Sequence, residues 1–275
     1  MKYEKIGQPV RRREDVRLLT GNGRFSDDWS IDGQAYMAVV RSSHAHAVLQ
    51  DIDTSAAASM PGVLGIFTGK DCAADGLSQI PHSPLPSTKH DQKLHGPGGA
   101  DPFIGNHMPL PADKARYVGE ALAVVVAETL AQAEDAANAV LIDYAPLPCV
   151  TDTKKAAEAG APSIWDEVPD NIGIETFFGD KDATDEAFAS AEHVVDMEFY
   201  IDRVTGVPME PRAALGDYDT GTGRYTIYAG SGGSVRQKRE IAEVLGVDAD
   251  DVRVISKDVG GNFGTRNRLY VEFPL

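Results

Sequence analysis

The chain has 275 residues, 42% of them hydrophobic and 25% charged, an ordinary globular composition with room for one or two domains. A net charge of −16 and a sequence pI near 4.8 argue against nucleic-acid binding, which needs clustered Lys and Arg. The basic run Arg11-Arg12-Arg13 is followed at once by acidic residues and reads as a solvated turn.

Cys72 and Cys149 stand far apart, with no disulfide or metal-site spacing, and read as buried thiols of a reducing cytosol. The N-terminus, Met-Lys-Tyr-Glu-Lys-Ile-Gly-Gln, lacks the apolar core of a signal peptide. No apolar run is long enough to span a bilayer, and a cytoplasmic location is expected.

In chain order, residues 1–33 read as an irregular arm punctuated at Gly21-Asn22-Gly23 and Asp27-Asp28. Strands are expected at 35–42, 47–53 and 63–68, a short helix at 54–60 and a helical turn at 70–74. Residues 75–113 are rich in Pro, Gly, His and Ser and read as a long surface loop against a partner. Its histidines, His82, His90, His95 and His107, match no metal-ligand spacing.

Residues 121–127, Ala-Leu-Ala-Val-Val-Val-Ala, are the most apolar strand. A helix over 129–140 follows, with Thr129 as its N-cap and Leu130, Ala133, Ala136, Ala137 and Val140 on one face. A strand at 141–144 ends before Pro146 and Pro148. Residues 35–150 therefore read as an α+β domain with a mixed sheet. Residues 151–185 are punctuated by Pro, Gly and Asp and contain a short helix at 153–159. Beyond them come a short helix at 185–190, a long strand at 193–204, and a hairpin of strands 214–218 and 224–229 turning on Asp219-Thr-Gly-Thr-Gly. A helix over 234–245, with Val235, Ile241, Val244 and Leu245 inward and Gly246 as C-cap, leads to a strand at 252–256. Residues 268–273 read as the start of a helix with no closing element, so the last domain is expected to be incomplete.

Two glycine loops carry the chemistry. Ala229-Gly-Ser-Gly-Gly-Ser234 joins a strand to a helix, and Asp258-Val-Gly-Gly-Asn-Phe-Gly264 follows the strand at 252–256. A strand aims such a loop, and the missing side chains let main-chain N–H groups approach an anion. Together they suggest one phosphate- or oxo-bearing ligand at the end of a sheet. The first loop lacks the Gly-Lys-Ser/Thr of a nucleotide loop and does not fit the dinucleotide fingerprint.

Ordered motifs run along nearly the whole chain: the arm sequence from Arg13 to Asp28, Val40-Arg-Ser-Ser-His-Ala-His-Ala, Met60-Pro-Gly-Val, Arg116-Tyr-Val-Gly-Glu, Ile142-Asp-Tyr-Ala-Pro-Leu-Pro, Met209-Glu-Pro-Arg-Ala and Asp258-Val-Gly-Gly-Asn-Phe-Gly. In this order and spacing they resemble the N-terminal part of the molybdenum-binding large subunit of the xanthine dehydrogenase, aldehyde oxidase and carbon monoxide dehydrogenase family. The resemblance implies an N-terminal arm (1–20), an α/β hammerhead domain (21–150), a connecting segment (151–185) and a partial molybdopterin-binding domain (186–275). It implies a hydroxylase that takes its oxygen from water and acts on a small aldehyde or N-heteroaromatic compound. The implied cofactor is molybdenum-molybdopterin, in the cytosine dinucleotide form of bacterial relatives. Electrons would leave to [2Fe-2S] and FAD partner subunits, and the remainder of the molybdenum subunit would be a further partner.

Matched onto this chain, the cofactor-binding residues implied are Ser231, Gly232, Gly233, Gly260, Gly261, Asn262, Phe263 and Gly264. Gly232 stands where many members have a glutamine, which leaves a backbone N–H, a water or an altered site in its place. Asn267 stands in the substrate pocket where purine-oxidising members carry a glutamate, which argues against xanthine. No catalytic residue or metal ligand is expected in this chain. Glu210 is expected to form a buried structural ion pair with Arg212 or to position a loop. The competing reading is a catalytically inactive fragment, or an assembly or binding module, of the same family.

Overall fold

The computed structural model describes residues 6–82 and 93–275; residues 1–5, where the signal-peptide reading begins, and His90 lie outside them. The helices are α1 (Asp15–Leu19), α2 (Ser55–Ala58), α3 (Gly69–Ala74), α4 (Leu130–Ala139), α5 (Thr153–Ala156), α6 (Lys181–Ser190) and α7 (Ser234–Leu245). The strands are β1 (Tyr36–Arg41), β2 (Ala47–Asp53), β3 (Val63–Thr68), β4 (Lys114–Ala115), β5 (Ala121–Ala127), β6 (Leu141–Pro146), β7 (Ala214–Asp219), β8 (Arg224–Ala229) and β9 (Val252–Ile255). The chain divides into two units. One joins the residues up to Gln34 with Gly206–Ala242 and Val247–Phe273; the other is built on Ala35–Thr205.

The second of these units is organised by β5. It lies between β1 and β3 and pairs antiparallel with both. Successive side chains of a strand point to opposite faces, so a strand covered on both faces must be apolar throughout. Val125 accordingly packs in a cluster with Ala57, Ala136 and Val140, and Leu122 in one with Leu49 and Ala115 of the sheet β4-β2-β6. Helix α4 covers the Val125 face through Ala133 and Ala136, and its N-cap Thr129 accepts a hydrogen bond from the Gln132 N–H at 3.3 Å. Leu130 at its first turn stays half-exposed.

Three sequence expectations change in this unit. Its two three-stranded sheets pair only antiparallel, not as one mixed sheet. Cys149 is exposed, whereas Cys72 is buried as expected. In the long loop, His82 and His107 meet through Nε2 and Nδ1 at 2.7 Å with near-parallel rings. Burial and His82 push the His107 imidazole down to about 4. Residues 193–204 form no strand, because a strand exists only in a ladder and no described segment pairs with them.

In the other unit, β7 and β8 form the expected hairpin. Asp219 accepts from the Gly221 N–H and the Thr222 hydroxyl, both at 2.8 Å, and Gly223 takes a positive φ of 71°. The chain then crosses through α7 so that β9 lies parallel to β8, from Tyr225 opposite Val252 to Tyr228 opposite Ile255. Ile227, Ala229, Ile241, Ala242 and Val252 are buried. Gly246 closes α7 with a positive φ of 67°. The inward face of α7 differs from expectation. Val235 is exposed, while Gln237 and Glu240 are buried, Glu240 accepting from the Leu269 N–H at 3.1 Å. Residues 268–273 form turns rather than a helix. Among the described residues no helix is long and apolar enough to cross a membrane.

Leu122 is fully buried on the β5 face opposite Val125. Truncation there leaves a cavity, so Leu122→Ala is expected to lower stability by roughly 2–5 kcal/mol in urea unfolding.

Candidate functional site

Parallel pairing of β8 and β9 puts their C-terminal ends, and the loops that leave them, at the same edge of the sheet. That edge is where open α/β sheets bind ligands. The structure brings the two predicted glycine loops together there. The Ser231 N–H donates to the Ser256 hydroxyl at 3.2 Å, and the Gly232 N–H donates to the Arg266 carbonyl at 2.8 Å. Within the first loop the Ser231 hydroxyl accepts from the Gly233 N–H at 3.0 Å.

The second loop is held from below by Glu210. Its Oε2 accepts the Gly260 N–H at 2.7 Å, and its Oε1 accepts from both the backbone N–H and the hydroxyl of Ser26. Arg266 lies against the same carboxylate, Nη2 to Oε2 at 3.1 Å. Its Nη2 also donates to the Glu210 carbonyl at 2.6 Å, and its Nε to the Gly261 carbonyl at 2.9 Å. Both side chains are buried, Arg266 to 2% exposure and Glu210 to 8%. Burial works against the charged Glu210, but the hydrogen bonds from Ser26 and Gly260 and the charge of Arg266 outweigh it and hold its carboxyl below the ordinary range. The buried ion pair expected of Glu210 therefore exists, but its partner is Arg266. Arg212 instead stacks on Tyr270, 3.6 Å from the ring centroid.

A second carboxylate ties the arm to this loop. Asp258 accepts both terminal nitrogens of Arg17 and the Arg24 N–H at 2.7 Å, while its own N–H donates to the Arg24 carbonyl. These bonds, Arg17 first, bring the Asp258 carboxyl down to about 2. The Arg24 guanidinium sits 3.4 Å over Trp29, which packs on Tyr228 of β8. No local pattern signals the bonds from Arg24 to Asp258 and from Ser26 to Glu210, which join residues more than 180 positions apart.

The glycines are sterically required at two points. A Cβ on Gly260 would lie 2.4 Å from the Glu210 Cβ. A Cβ on Gly232 would lie 2.2 Å from Asn267 Oδ1 and 2.6 Å from Asn262 Nδ2, two atoms that bond each other at 2.9 Å. The Asn267 amide thus fills the room a side chain at 232 would need. The Gly232 N–H, already donated to Arg266, has no second hydrogen to offer a ligand. Gly261, Phe263 and Gly264 all have positive φ, 116°, 49° and 88°. Phe263 is a strained exception for a bulky residue, and its side chain is 78% exposed. Four successive N–H groups, Gly261 to Gly264, make no hydrogen bond to other described residues. Free main-chain donors in a left-handed turn form a concavity suited to anionic oxygen. Among the described residues no group of three or more His, Cys, Asp or Glu could hold a metal by itself.

Residues 20–148 match the aldehyde oxidase and xanthine dehydrogenase a/b hammerhead domain, and residues 164–275 match the molybdopterin cofactor-binding domain. The chain belongs to the xanthine dehydrogenase, aldehyde oxidase and carbon monoxide dehydrogenase family. It is 38% identical to the nicotine 6-hydroxylase large subunit of Paenarthrobacter nicotinovorans, over 98% of this chain and 31% of that protein. It is 29% identical to the carbon monoxide dehydrogenase large chain of Afipia carboxidovorans, over 98% of this chain and 32% of that one. The crystal structure of quinoline 2-oxidoreductase from Pseudomonas putida 86 superposes with a TM-score of 0.84 at 33% identity, covering 97% of this chain and 32% of that chain. The family member described here therefore spans about a third of the length of these relatives. It pairs a hammerhead domain with a molybdopterin-binding domain.

Removing one partner of a buried ion pair strands the other charge. Glu210→Gln is expected to cost roughly 3–5 kcal/mol in urea unfolding, and Arg212→Ala, which removes a stacked cation, only about 0.5–1 kcal/mol. Acid should act through the same anchors. Glu210 and Asp258 both have lowered folded values, so their contribution is complete above about pH 5 and is lost as pH falls, for Asp258 through about 2. In a Trp165→Phe background, Trp29 emission is expected to hold steady above about pH 5 and shift red below it.

Proposed function

We propose that this chain is the hammerhead and first cofactor-binding portion of a molybdenum hydroxylase acting on a small aldehyde or N-heteroaromatic substrate. The single observation that carries the reading is the row of free N–H groups from Gly261 to Gly264, at the joint ends of two parallel strands, within a matched molybdopterin-binding domain. The names of its relatives, nicotine 6-hydroxylase and quinoline 2-oxidoreductase, favour the N-heteroaromatic class. An asparagine at 267 suits such a ring, since its amide offers a donor where a glutamate offers only acceptors.

In this reading Ser231, Gly232 and Gly233 form one wall of the cofactor cradle and Gly260, Gly261, Asn262, Phe263 and Gly264 the other. Bound there, molybdenum-molybdopterin would supply the redox and oxygen-transfer chemistry, with water as the oxygen source. The chain's own part is to hold and to exclude. The free N–H donors receive oxygen atoms of the cofactor. Arg266, neutralised by Glu210, keeps the two loops in contact without presenting net charge. Asn267 borders the substrate. The catalytic base lies outside this chain, on the remainder of the molybdenum subunit. The cofactor takes the cytosine dinucleotide form, electrons pass to [2Fe-2S] and FAD partner subunits, and the complex works in the cytoplasm.

The test is metal and nucleotide analysis of the chain purified with its native partners. Stoichiometric molybdenum, cytidine monophosphate released by acid, and heavy oxygen carried from labelled water into a hydroxylated N-heteroaromatic product are the expected results. A metal-free chain that still binds those partners would mark an inactive assembly module and refute the reading.

A further inference from the structure

Two motifs of the sequence have no part in the proposed function, Val40-Arg-Ser-Ser-His-Ala-His-Ala47 and Arg116-Tyr-Val-Gly-Glu120. The fold brings them together within the unit built on Ala35–Thr205. Ala47 pairs with Ala115, and Val48 with Lys114, in the antiparallel ladder of β2 and β4. One step further along this register, His46 lies opposite Arg116. Side chains alternate along a strand. Ala47 and Ala115, both fully buried, therefore point into the core, and His46, Val48, Lys114 and Arg116 share the other face. The stretch from Pro148 to Asp166 covers that face. His46 Nδ1 meets the Pro148 carbonyl at 2.9 Å, the Arg116 guanidinium lies 4.1 Å from the Trp165 ring centroid, and Lys114 pairs with Asp166 at 3.3 Å.

Each of the two facing side chains is held at one end and open at the other. Arg116 gives its backbone N–H to Glu120 and its Nη1 and Nη2 to Asp113, at 3.4 and 3.0 Å. Its Nε is buried with no hydrogen-bond partner among the described residues, and so is Nε2 of His46, a residue only 7% exposed. A carbonyl can only accept, so His46 donates to Pro148 through Nδ1, and the neutral ring keeps a lone pair on Nε2. An orphan acceptor and an orphan donor thus stand on one face, on opposite residues, without bonding each other. Buried polar groups are rarely left unmet.

We infer that one internal water bridges Arg116 Nε and His46 Nε2. The chemistry selects it. A metal cation suits the imidazole lone pair but not the guanidinium N–H, and an anion suits the N–H but not the lone pair. The ligand must accept from Arg116, donate to His46 and fit where both atoms are closed to solvent. Water meets all three demands. Through His46 the bridge reaches the carbonyl of Pro148, the residue at which the hammerhead match ends. It therefore ties β2 and β4 to the point where the chain leaves that domain.

The test is a high-resolution crystal structure of the full chain grown with bromide, together with nitrogen-15 NMR of its histidine and arginine side chains. One water oxygen is expected about 3 Å from both nitrogens, with no bromide there. At neutral pH, His46 should carry a proton on Nδ1 and none on Nε2. His46→Leu removes the acceptor, so the Arg116 Nε–H should exchange with solvent about tenfold faster or more. Ser43→Ala, at an exposed position of the same motif, should leave that rate unchanged. Bromide at the bridging point, a protonated Nε2, a direct bond between the two nitrogens, a protein side chain between them, an empty gap, or an unchanged exchange rate in His46→Leu would each overturn the inference. Should His46→Leu fail to fold, the structure and histidine spectrum of the unsubstituted chain decide alone.

Discussion

One carboxylate holds the site in place. Glu210 takes the Gly260 N–H on one oxygen and Ser26 on the other, with the Arg266 guanidinium against it. Three separate stretches of chain, the arm, the Met-Glu-Pro-Arg segment and the glycine loop, meet on that group. A buried ion pair is a poor source of net stability, because desolvation offsets most of the attraction. Its value here is geometric. Arg266 reaches carbonyls on both sides, at Glu210 and Gly261, and its own carbonyl receives the N–H of Gly232. Moving any one of these pieces moves the rest.

The parallel pairing of β8 and β9 supplies the other constraint. It delivers two loops to one edge, and of the N–H groups from Gly260 to Gly264 the clamp takes only the first. Gly260 is bonded, while the next four N–H groups are left without partners. These residues are half-exposed or exposed, so the four donors are open to solvent, and they are the groups that the proposed function assigns to the cofactor's oxygens. Asn267 Oδ1 lies in the space that a Cβ at Gly232 would take, so these two positions are packed together.

What was legible in the sequence was local. Residues 121–127, 224–229 and 234–245 could be bounded closely because apolar runs, turn residues and helical spacing are written in neighbouring positions. Both glycine loops were legible for the same reason. The arm was not. Its bonds to Asp258 and Glu210 join residues more than 180 positions apart. The partner of Glu210 was misread for a similar reason: Arg212 lies two residues off, and adjacency suggested a pair that the fold gives to Arg266. On α7, helical spacing could not show that Glu240 turns inward to meet the Leu269 N–H. Residues 193–204 carry a strand pattern that the structure does not realise, since a period of two fixes faces and not partners and no described segment pairs with them.

In the proposed function the loop from Gly260 to Gly264, seated on Glu210, cradles the cofactor. The most direct test is the molybdenum content of complexes carrying Gly260→Ala or Gly216→Ala. A Cβ at 260 would collide with Glu210, whereas one at 216, on β7 of the same unit, meets nothing within 4 Å. Gly260→Ala is expected to lose most of its molybdenum while still folding and binding its partners, and Gly216→Ala to keep it. Equal molybdenum in both complexes would contradict it.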